Sequence, residues 1–227
     1  GAGVSAWVSS TRATGAQKEG ASHSPRLASP ENEVVIPAAK ITDKASLRVL
    51  NSNSAVATLQ VSLLNTKGET PLSSPKKLQV ARGAVFDIPL GGVQDGVAAV
   101  KLKSNQPVVA AVFAEETVAN QPTLAIYPSV PPSTSGAVLV TKQSENLSFE
   151  SSYPQKITLV SGEKRQEITL SPEKIAIVKL SEGLWQWQSE HEIRAGQLVG
   201  DIAGTFRTIA VEKSASEAGA ISVKINP

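Results

Sequence analysis

Apolar and polar residues alternate with period two along most of this chain. Leu47-Arg48-Val49, Leu59-Gln60-Val61-Ser62-Leu63, Leu78-Gln79-Val80, Val85-Phe86-Asp87-Ile88, Val100-Lys101-Leu102 and Ile157-Thr158-Leu159 place their apolar side chains mostly on one face, as half-buried strands do. Turn-type clusters lie between such segments: Asn65-Thr66-Lys67-Gly68, Gly91-Gly92, Asp95-Gly96 and Ser161-Gly162-Glu163. No stretch carries a 3.6-residue period over the length a helix needs. Between Lys44 and Pro128 the pattern predicts about seven short strands with turns roughly every 8 to 12 residues, which is that of an immunoglobulin-like β-sandwich.

The pattern then repeats. Val108-Val109-Ala110-Ala111-Val112 through Leu124-Ala125-Ile126-Tyr127-Pro128 aligns with Arg207-Thr208-Ile209-Ala210-Val211 through Val223-Lys224-Ile225-Asn226-Pro227, since 211 − 112 and 227 − 128 both equal 99. Upstream, Leu78, Val80, Val85, Ile88 and Leu90 match Ile168, Leu170, Ile175, Val178 and Leu180 at an offset of 90. The offsets differ by 9, so about nine residues are expected to enter the second copy between Leu180 and Val199, in a stretch that holds two of the three tryptophans. The expected organisation is two tandem immunoglobulin-like antiparallel β-sandwich domains, residues 38–130 and 136–227, the second with an insertion at 181–196. The linker Ser129-Val130-Pro131-Pro132-Ser133-Thr134-Ser135-Gly136 is stiffened by its prolines.

The N-terminus reads as part of the same pattern. Gly3-Val4-Ser5-Ala6-Trp7-Val8 resembles the Val108 strand and Glu33-Val34-Val35-Ile36-Pro37 resembles Leu124 to Pro128, so residues 1–37 look like the last two strands of a preceding unit. Two strands bury no core alone. Either they complete a sheet of a neighbouring domain in this chain, or they pair elsewhere in a longer array; the first is favoured because an exposed edge pair invites aggregation. Ser9 to Asn32, rich in Ser, Gly, Ala, Pro and charge, is expected to be a long mobile loop.

Composition narrows the functions. A chain of 227 residues suits two domains of roughly 100 each. With 41% hydrophobic and only 4% aromatic residues, their cores must rest on Val, Ile, Leu and Ala. The net charge of +2 comes from 22 basic and 20 acidic residues well mixed along the chain, so no field for nucleic acid or anionic membrane is implied. Lys76-Lys77 and Lys164-Arg165 read as solvated loop residues. The longest apolar run, Val108 to Ala114, is far short of the roughly 20 residues of a membrane helix, and the stretch given is not expected to carry a signal peptide. Cysteine and methionine are absent, which removes disulfides, thiolate metal sites and cysteine nucleophiles. The Gly-Ala-Gly start without an initiator Met is expected of a processed or trimmed chain, so any membrane attachment would run through a segment absent from it.

Framework residues carry a resemblance. The succession Val34-Val35-Ile36-Pro37, Leu47-Arg48-Val49-Leu50-Asn51, Ala57-Thr58-Leu59-Gln60-Val61-Ser62-Leu63-Leu64 with the Gly68 turn, Ala84-Val85-Phe86-Asp87-Ile88-Pro89 and Gln106-Pro107-Val108-Val109-Ala110-Ala111-Val112 is similar to a family of exported actinobacterial proteins of unknown function. Members of that family carry tandem β-rich units outside the membrane. The resemblance covers both units and implies their fold and an extracellular or cell-envelope location. It transfers no catalytic residue and no cofactor.

Few constellations promise chemistry. His23 and His191 are the only histidines, His23 sits in the Ser/Gly/Pro-rich loop, and no Gly-x-Ser-x-Gly elbow occurs. In Glu190-His191-Glu192 a strand would send the glutamates to one face and the histidine to the other, so the three cannot share one metal ion. Asp43, Asp87, Asp95 and Asp201 are scattered, without the alternation of a calcium loop. Gly91-Gly92-Val93-Gln94-Asp95-Gly96 lacks the Lys-Ser/Thr pair and helix of a phosphate loop. Glu115-Glu116 diverge on a strand, and Asn146-Leu147-Ser148 fits a glycosylation acceptor that matters only where glycosylation occurs. The expected insertion is the candidate ligand- or partner-binding segment, through Trp185, Trp187 and His191. Two indoles one residue apart project from one face of an extended segment and can stack on a sugar ring or fill a partner's pocket; alternatively they cover an end of the second domain or dock on the first. The favoured expectation is a non-enzymatic, cofactor-free, exported cell-envelope module that is structural or binds another envelope protein. The alternative is a carbohydrate-binding module for cell-wall glycan through Trp185 and Trp187.

Overall fold

A single long strand wires each unit of the computed structural model, which describes residues 8–14, 17–23, 30–72, 78–92, 96–118, 121–142, 144–200 and 206–210. The strands are β1 (Val8–Thr14), β2 (Gln17–His23), β3 (Glu31–Ile41), β4 (Ala45–Leu50), β5 (Ala57–Leu64), β6 (Glu69–Pro71), β7 (Leu78–Val80), β8 (Val85–Pro89), β9 (Gly96–Val118) and β10 (Gln121–Pro128). All pairings are antiparallel, and no helix occurs among the described residues. The first half of β9 lies between β3 and β5, with β6 and β7 on the far edge of β5; this is sheet 1A. Its second half lies between β10 and β4, with β8 beyond β4; this is sheet 1B. The strand changes sheets between Ser104, paired with Leu59, and Val109, paired with Leu50. Pro107, which has no N–H to give a ladder, falls within that passage. Ile36, Leu63 and Leu102 from 1A meet Leu47, Ile88, Val112 and Tyr127 from 1B in one sandwich core.

The second unit repeats this wiring with β11 (Ser133–Val140), β12 (Ser144–Ser151), β13 (Gln155–Ser161), β14 (Lys164–Leu170), β15 (Ile175–Val178), β16 (Gly183–Gly200) and β17 (Phe206–Ala210). The first half of β16 lies between β11 and β13, with β14 beyond, as sheet 2A. Its second half lies between β17 and β12, with β15 beyond, as sheet 2B. The ladders fix the correspondence residue by residue. Val61 pairs with Leu102 as Leu159 pairs with Trp187, and Leu47 pairs with Val112 as Leu147 pairs with Gln197.

That register corrects the repeat alignment. Between β9 and β16 the offset is 187 − 102 = 197 − 112 = 85, not 99. Residues 181–196 are therefore no insertion, because most of them form the framework strand that β9 forms in the first unit. The upstream offset of 90 stands, since Ile88 pairs with Leu47 as Val178 pairs with Leu147. Similarity drew the alignment to residues 207–227 because bulky tryptophans and a polar second half disguise β16; residues 211–227 lie outside the described residues. The first unit begins at Glu31 rather than 38. Glu33 to Pro37 belong to its first strand, as β11 opens the second unit, and are not the end of a preceding one. Within the expected mobile loop at 9–32, β1 and β2 form an antiparallel two-stranded ribbon. Trp7 and Lys76-Lys77 lie outside the described residues.

The outer face of 1A packs on the outer face of 2B. β3 carries a bulge between Ile36 and Ala39, which frees the Pro37 carbonyl from the ladder, and Ser148 of β12 donates its hydroxyl to it. Opposite lies Gly196, where an added Cβ would stand 2.9 Å from Pro37 Cγ and 3.2 Å from Ala38 Cβ. Leu64 and Ala99 of 1A cluster with Ile175 and Ile177 of β15, and the Ile175 N–H donates to the Asn65 carbonyl at 3.2 Å. The layers thus run 1B, 1A, 2B, 2A, and 1A is covered on both faces.

One turn holds strain. Gly83, between β7 and β8, has φ 63°, and its counterpart Glu173, between β14 and β15, has the same φ of 63°. Glycine adopts that left-handed conformation freely, whereas a side chain there costs about 1–2 kcal/mol. Replacing Glu173 by Gly is expected to stabilise the protein by about 0.5–1 kcal/mol after the larger unfolded-state entropy of glycine is offset, a rise of roughly 1–4 °C in melting temperature by scanning calorimetry.

Candidate functional site

Trp185 and Trp187 lie inside the second sandwich. They are 3% and 4% exposed and belong to its core with Val138, Phe149, Leu159 and Ile193. Trp187 meets Phe149 edge-on at 5.7 Å between ring centroids. The Trp185 indole N–H donates to the Ser181 carbonyl at 2.7 Å. Space for the Trp187 ring comes from its ladder partner Gly136, where an added Cβ would fall 2.1 Å from the indole. In the first unit the same two positions hold Val34 and Leu102. At 3% and 4% exposure neither indole presents the open face that stacking on a sugar ring needs. His191 is elsewhere, exposed where β16 passes from one sheet to the other. Its ring packs on Tyr153 at 4.7 Å, and its backbone exchanges two hydrogen bonds with the Gln155 amide. The three nominated residues therefore form no common site.

The junction brings together a charge cluster that the linear sequence did not reveal. Arg194 of β16 lies between Glu150 of β12 at 3.3 Å and, across the unit boundary, Glu33 and Glu31 of β3, both at 3.9 Å. Lys101 of β9 adds a second cation, 4.0 Å from Glu33. Glu150 is 1% exposed, and burial pushes its carboxyl above the ordinary value, a shift that the Arg194 and Lys101 charges only partly oppose. Glu31, at the rim, is raised for the same reason. The cluster spans the boundary, with Arg194 of 2B facing carboxylates of both sheets.

The outer face of 2A is the open surface. Cross-strand rows place Ser135, Gln188 and Thr158 beside one another, then Ala137, Gln186 and Val160, with Leu139 and Leu184 beyond. A shallow groove of about 590 Å³ runs over it, flanked by Lys156 and Arg165. At the other end of the stack the outer face of 1B carries Leu50, Val85 and the Arg48–Asp87 pair, doubly hydrogen-bonded at 2.8 Å with the guanidinium 4.5 Å above the Phe113 ring centroid. That bonding holds the Asp87 carboxyl below its usual range. Among the described residues no group of three or more His, Cys, Asp and Glu is placed to hold a metal ion, and no helix is long and apolar enough to cross a membrane.

A family model described as "Family of unknown function (DUF5719)" matches residues 1–177, the whole first unit and the second as far as β15. The chain belongs to this uncharacterised family. No curated protein matches it. A solved structure, "Crystal Structure of Thermotoga maritima 1070", is similar at 15% identity over 44% of this chain and 93% of its own, with a TM-score of 0.38, and bears on neither fold nor function.

The Trp187 pocket can be tested through its glycine. Gly136→Ala forces a methyl into the indole and is expected to cost about 1–3 kcal/mol, read as a lower melting temperature with tryptophan emission shifted to the red. The cluster can be tested through pH. A carboxyl raised by folding contributes its full stability below its ordinary value of 4.5 and loses it as pH rises through the folded pKa. Arg194→Met removes the charge that partly opposes the burial of Glu150 and so raises its carboxyl further, and it is expected to cost about 3–5 kcal/mol at neutral pH. The gap from wild type in urea midpoint should narrow as pH falls and Glu150 takes up its proton; a gap independent of pH would count against the cluster.

Proposed function

We propose that this protein is a non-enzymatic, exported structural module of the cell envelope, in which two sandwiches act as one stiff body that holds envelope proteins in place. The observation that carries this reading is the burial of sheet 1A on both faces. Units joined by a linker alone would swing freely, whereas here an apolar cluster, a Ser148–Pro37 hydrogen bond and a shared charge cluster fix one against the other. The resemblance to exported actinobacterial proteins supports the location, as does a composition without oxidisable sulfur. Recognition of glycan through Trp185 and Trp187 is not carried forward, because both indoles are occupied in the core.

The test is fractionation of cells that make the protein naturally, with chemical cross-linking before lysis. Recovery in the envelope fraction, cross-linked to protein, is expected. Recovery as free protein in the cytosol would overturn the reading.

A further inference from the structure

The junction between 1A and 2B sets three carboxylates against two cations. Glu150, Glu33 and Glu31 supply the first, Arg194 and Lys101 the second. Strand pairing fixes where they stand. Within 2B, Ile175, Glu150 and Arg194 form one cross-strand row, and such partners share a face of the sheet. Ile175 belongs to the apolar cluster with Leu64 and Ala99 of the first unit, so the row is turned toward 1A. Lys101 faces Glu150 from 1A.

Glu150 is the member sealed from solvent, at 1% exposure. Its Oε2 accepts from Arg194 Nη1 at 3.3 Å, whereas its buried Oε1 has no hydrogen-bond partner among the described residues. The Arg194 Nε is likewise unpartnered, and the guanidinium is divided between Glu150 and two further carboxylates, each at 3.9 Å. An ionised Glu150 therefore keeps charge on an oxygen that no donor meets. A neutral acid leaves only a polar group to bury, which costs far less. It also balances the rest, because Arg194 and Lys101 then face only Glu33 and Glu31. The charged groups that face Glu150 are Arg194 of β16, Lys101 of β9 and Glu33 of β3. Glu31 of β3 lies beyond Arg194 and faces Glu192 of β16.

We propose that docking of 1A on 2B takes up a proton at Glu150, so that the junction is a proton-operated latch, tight in acid and loosened as pH rises. Undocked, Glu150 stands on an open sheet face and ionises at its ordinary value of 4.5; docked, burial holds on to the proton. A carboxyl raised in this way contributes fully below 4.5, and the contribution is lost as pH rises through the docked value. The apolar cluster and the close approach at Gly196 carry no charge and hold at every pH. Residues 129–132 join β10 to β11, so opening is a hinge motion of tethered units. The latch rests on the reading of the two sandwiches as one stiff body and makes that stiffness depend on acidity.

The Ile175 N–H reports on the latch, because it donates across the junction to the Asn65 carbonyl. Its hydrogen exchange in the full chain is followed by NMR from about pH 4 to 8 and corrected for the intrinsic rate. In the wild type it is expected to be less protected than amides of β5 and β13, with protection falling above pH 4.5. The fall should reach at most about tenfold per pH unit, the limit for one proton. Glu150→Gln, which matches the neutral acid in shape, is expected to hold that protection level across the range, whereas Glu31→Gln keeps the fall. The carbon-13 titration of the Glu150 carboxyl in the wild type needs no variant and should have its midpoint above 4.5. A midpoint at or below 4.5 would overturn the proposal, as would a wild type whose Ile175 protection ignores pH. A fall that persists in Glu150→Gln, or is lost in Glu31→Gln, would place the proton elsewhere and overturn it too. Equal protection of Ile175 and the core amides would mean that the junction opens only when the whole chain unfolds, which leaves no latch. None of these outcomes touches the envelope assignment, which the fractionation decides on its own.

Discussion

Burial of sheet 1A on both faces is the constraint on which the rest of the structure depends. A sheet with one wet face alternates apolar and polar residues, whereas a sheet covered on both sides must be nearly continuous in apolar or small ones. β3 shows the consequence in Val34-Val35-Ile36-Pro37-Ala38-Ala39, all six buried. Val34 and Ile36 face the first core, while Val35, equally buried, lies on the opposite face of the strand. Double coverage also means that backbone groups which leave the ladder need partners from the neighbour. The bulge in β3 releases the Pro37 carbonyl, and Ser148 accommodates it. Neither the bulge nor the serine has a purpose without the other.

Where one face of a sheet is wet, the sequence announces the strand. β4 and β13 show buried and more open residues in turn, and their alternation was readable without a structure. The all-β class and the duplication followed from the same signal. Where both faces are covered, the signal fails. Glu33 to Pro37 could be seen as a strand but not assigned to its unit, because a continuous apolar run does not say which face belongs to which core. The junction cluster was invisible for a related reason. Glu31, Glu33, Lys101, Glu150 and Arg194 come from four strands spread over 164 positions of sequence, counted from 31 to 194, and pair only after both sandwiches have formed. No local pattern of charge marks them. His191 was legible as a residue but not in its setting, since it stands at the passage of β16 between sheets, where Gln106 stands in β9, apart from both tryptophans.

Large and small residues trade places between the two units. The first fills the space between Val34 and Leu102; the second fills it with Trp187 alone and reduces the facing position to Gly136. Conserved volume with altered shape is the change a packed interior tolerates best. It is also the change that a comparison by hydropathy reads worst, since a tryptophan opposite a glycine resembles neither half of a valine and leucine pair. The same exchange explains how a chain so poor in aromatics builds its second core: a few large rings, set edge to face as Trp187 is on Phe149, replace several aliphatic side chains.

β16 joins these two matters into one mechanical element. Its first half seats the tryptophans in the core of the second unit, and its second half carries Arg194, Gly196 and Leu198 onto the first. Antiparallel pairing on both sides fixes the strand lengthwise, because a slip of one residue would turn every side chain to the opposite face. Such a slip would draw the indoles out of the core and push Ala195 and Gln197 against β3. The packing of Trp187 over Gly136 therefore sets the register that presents Gly196 to Pro37, although the two glycines lie on different sheets. Core and junction cannot be specified separately in this chain, which is why the strand that looks like an inserted appendage in the sequence is the one both units require.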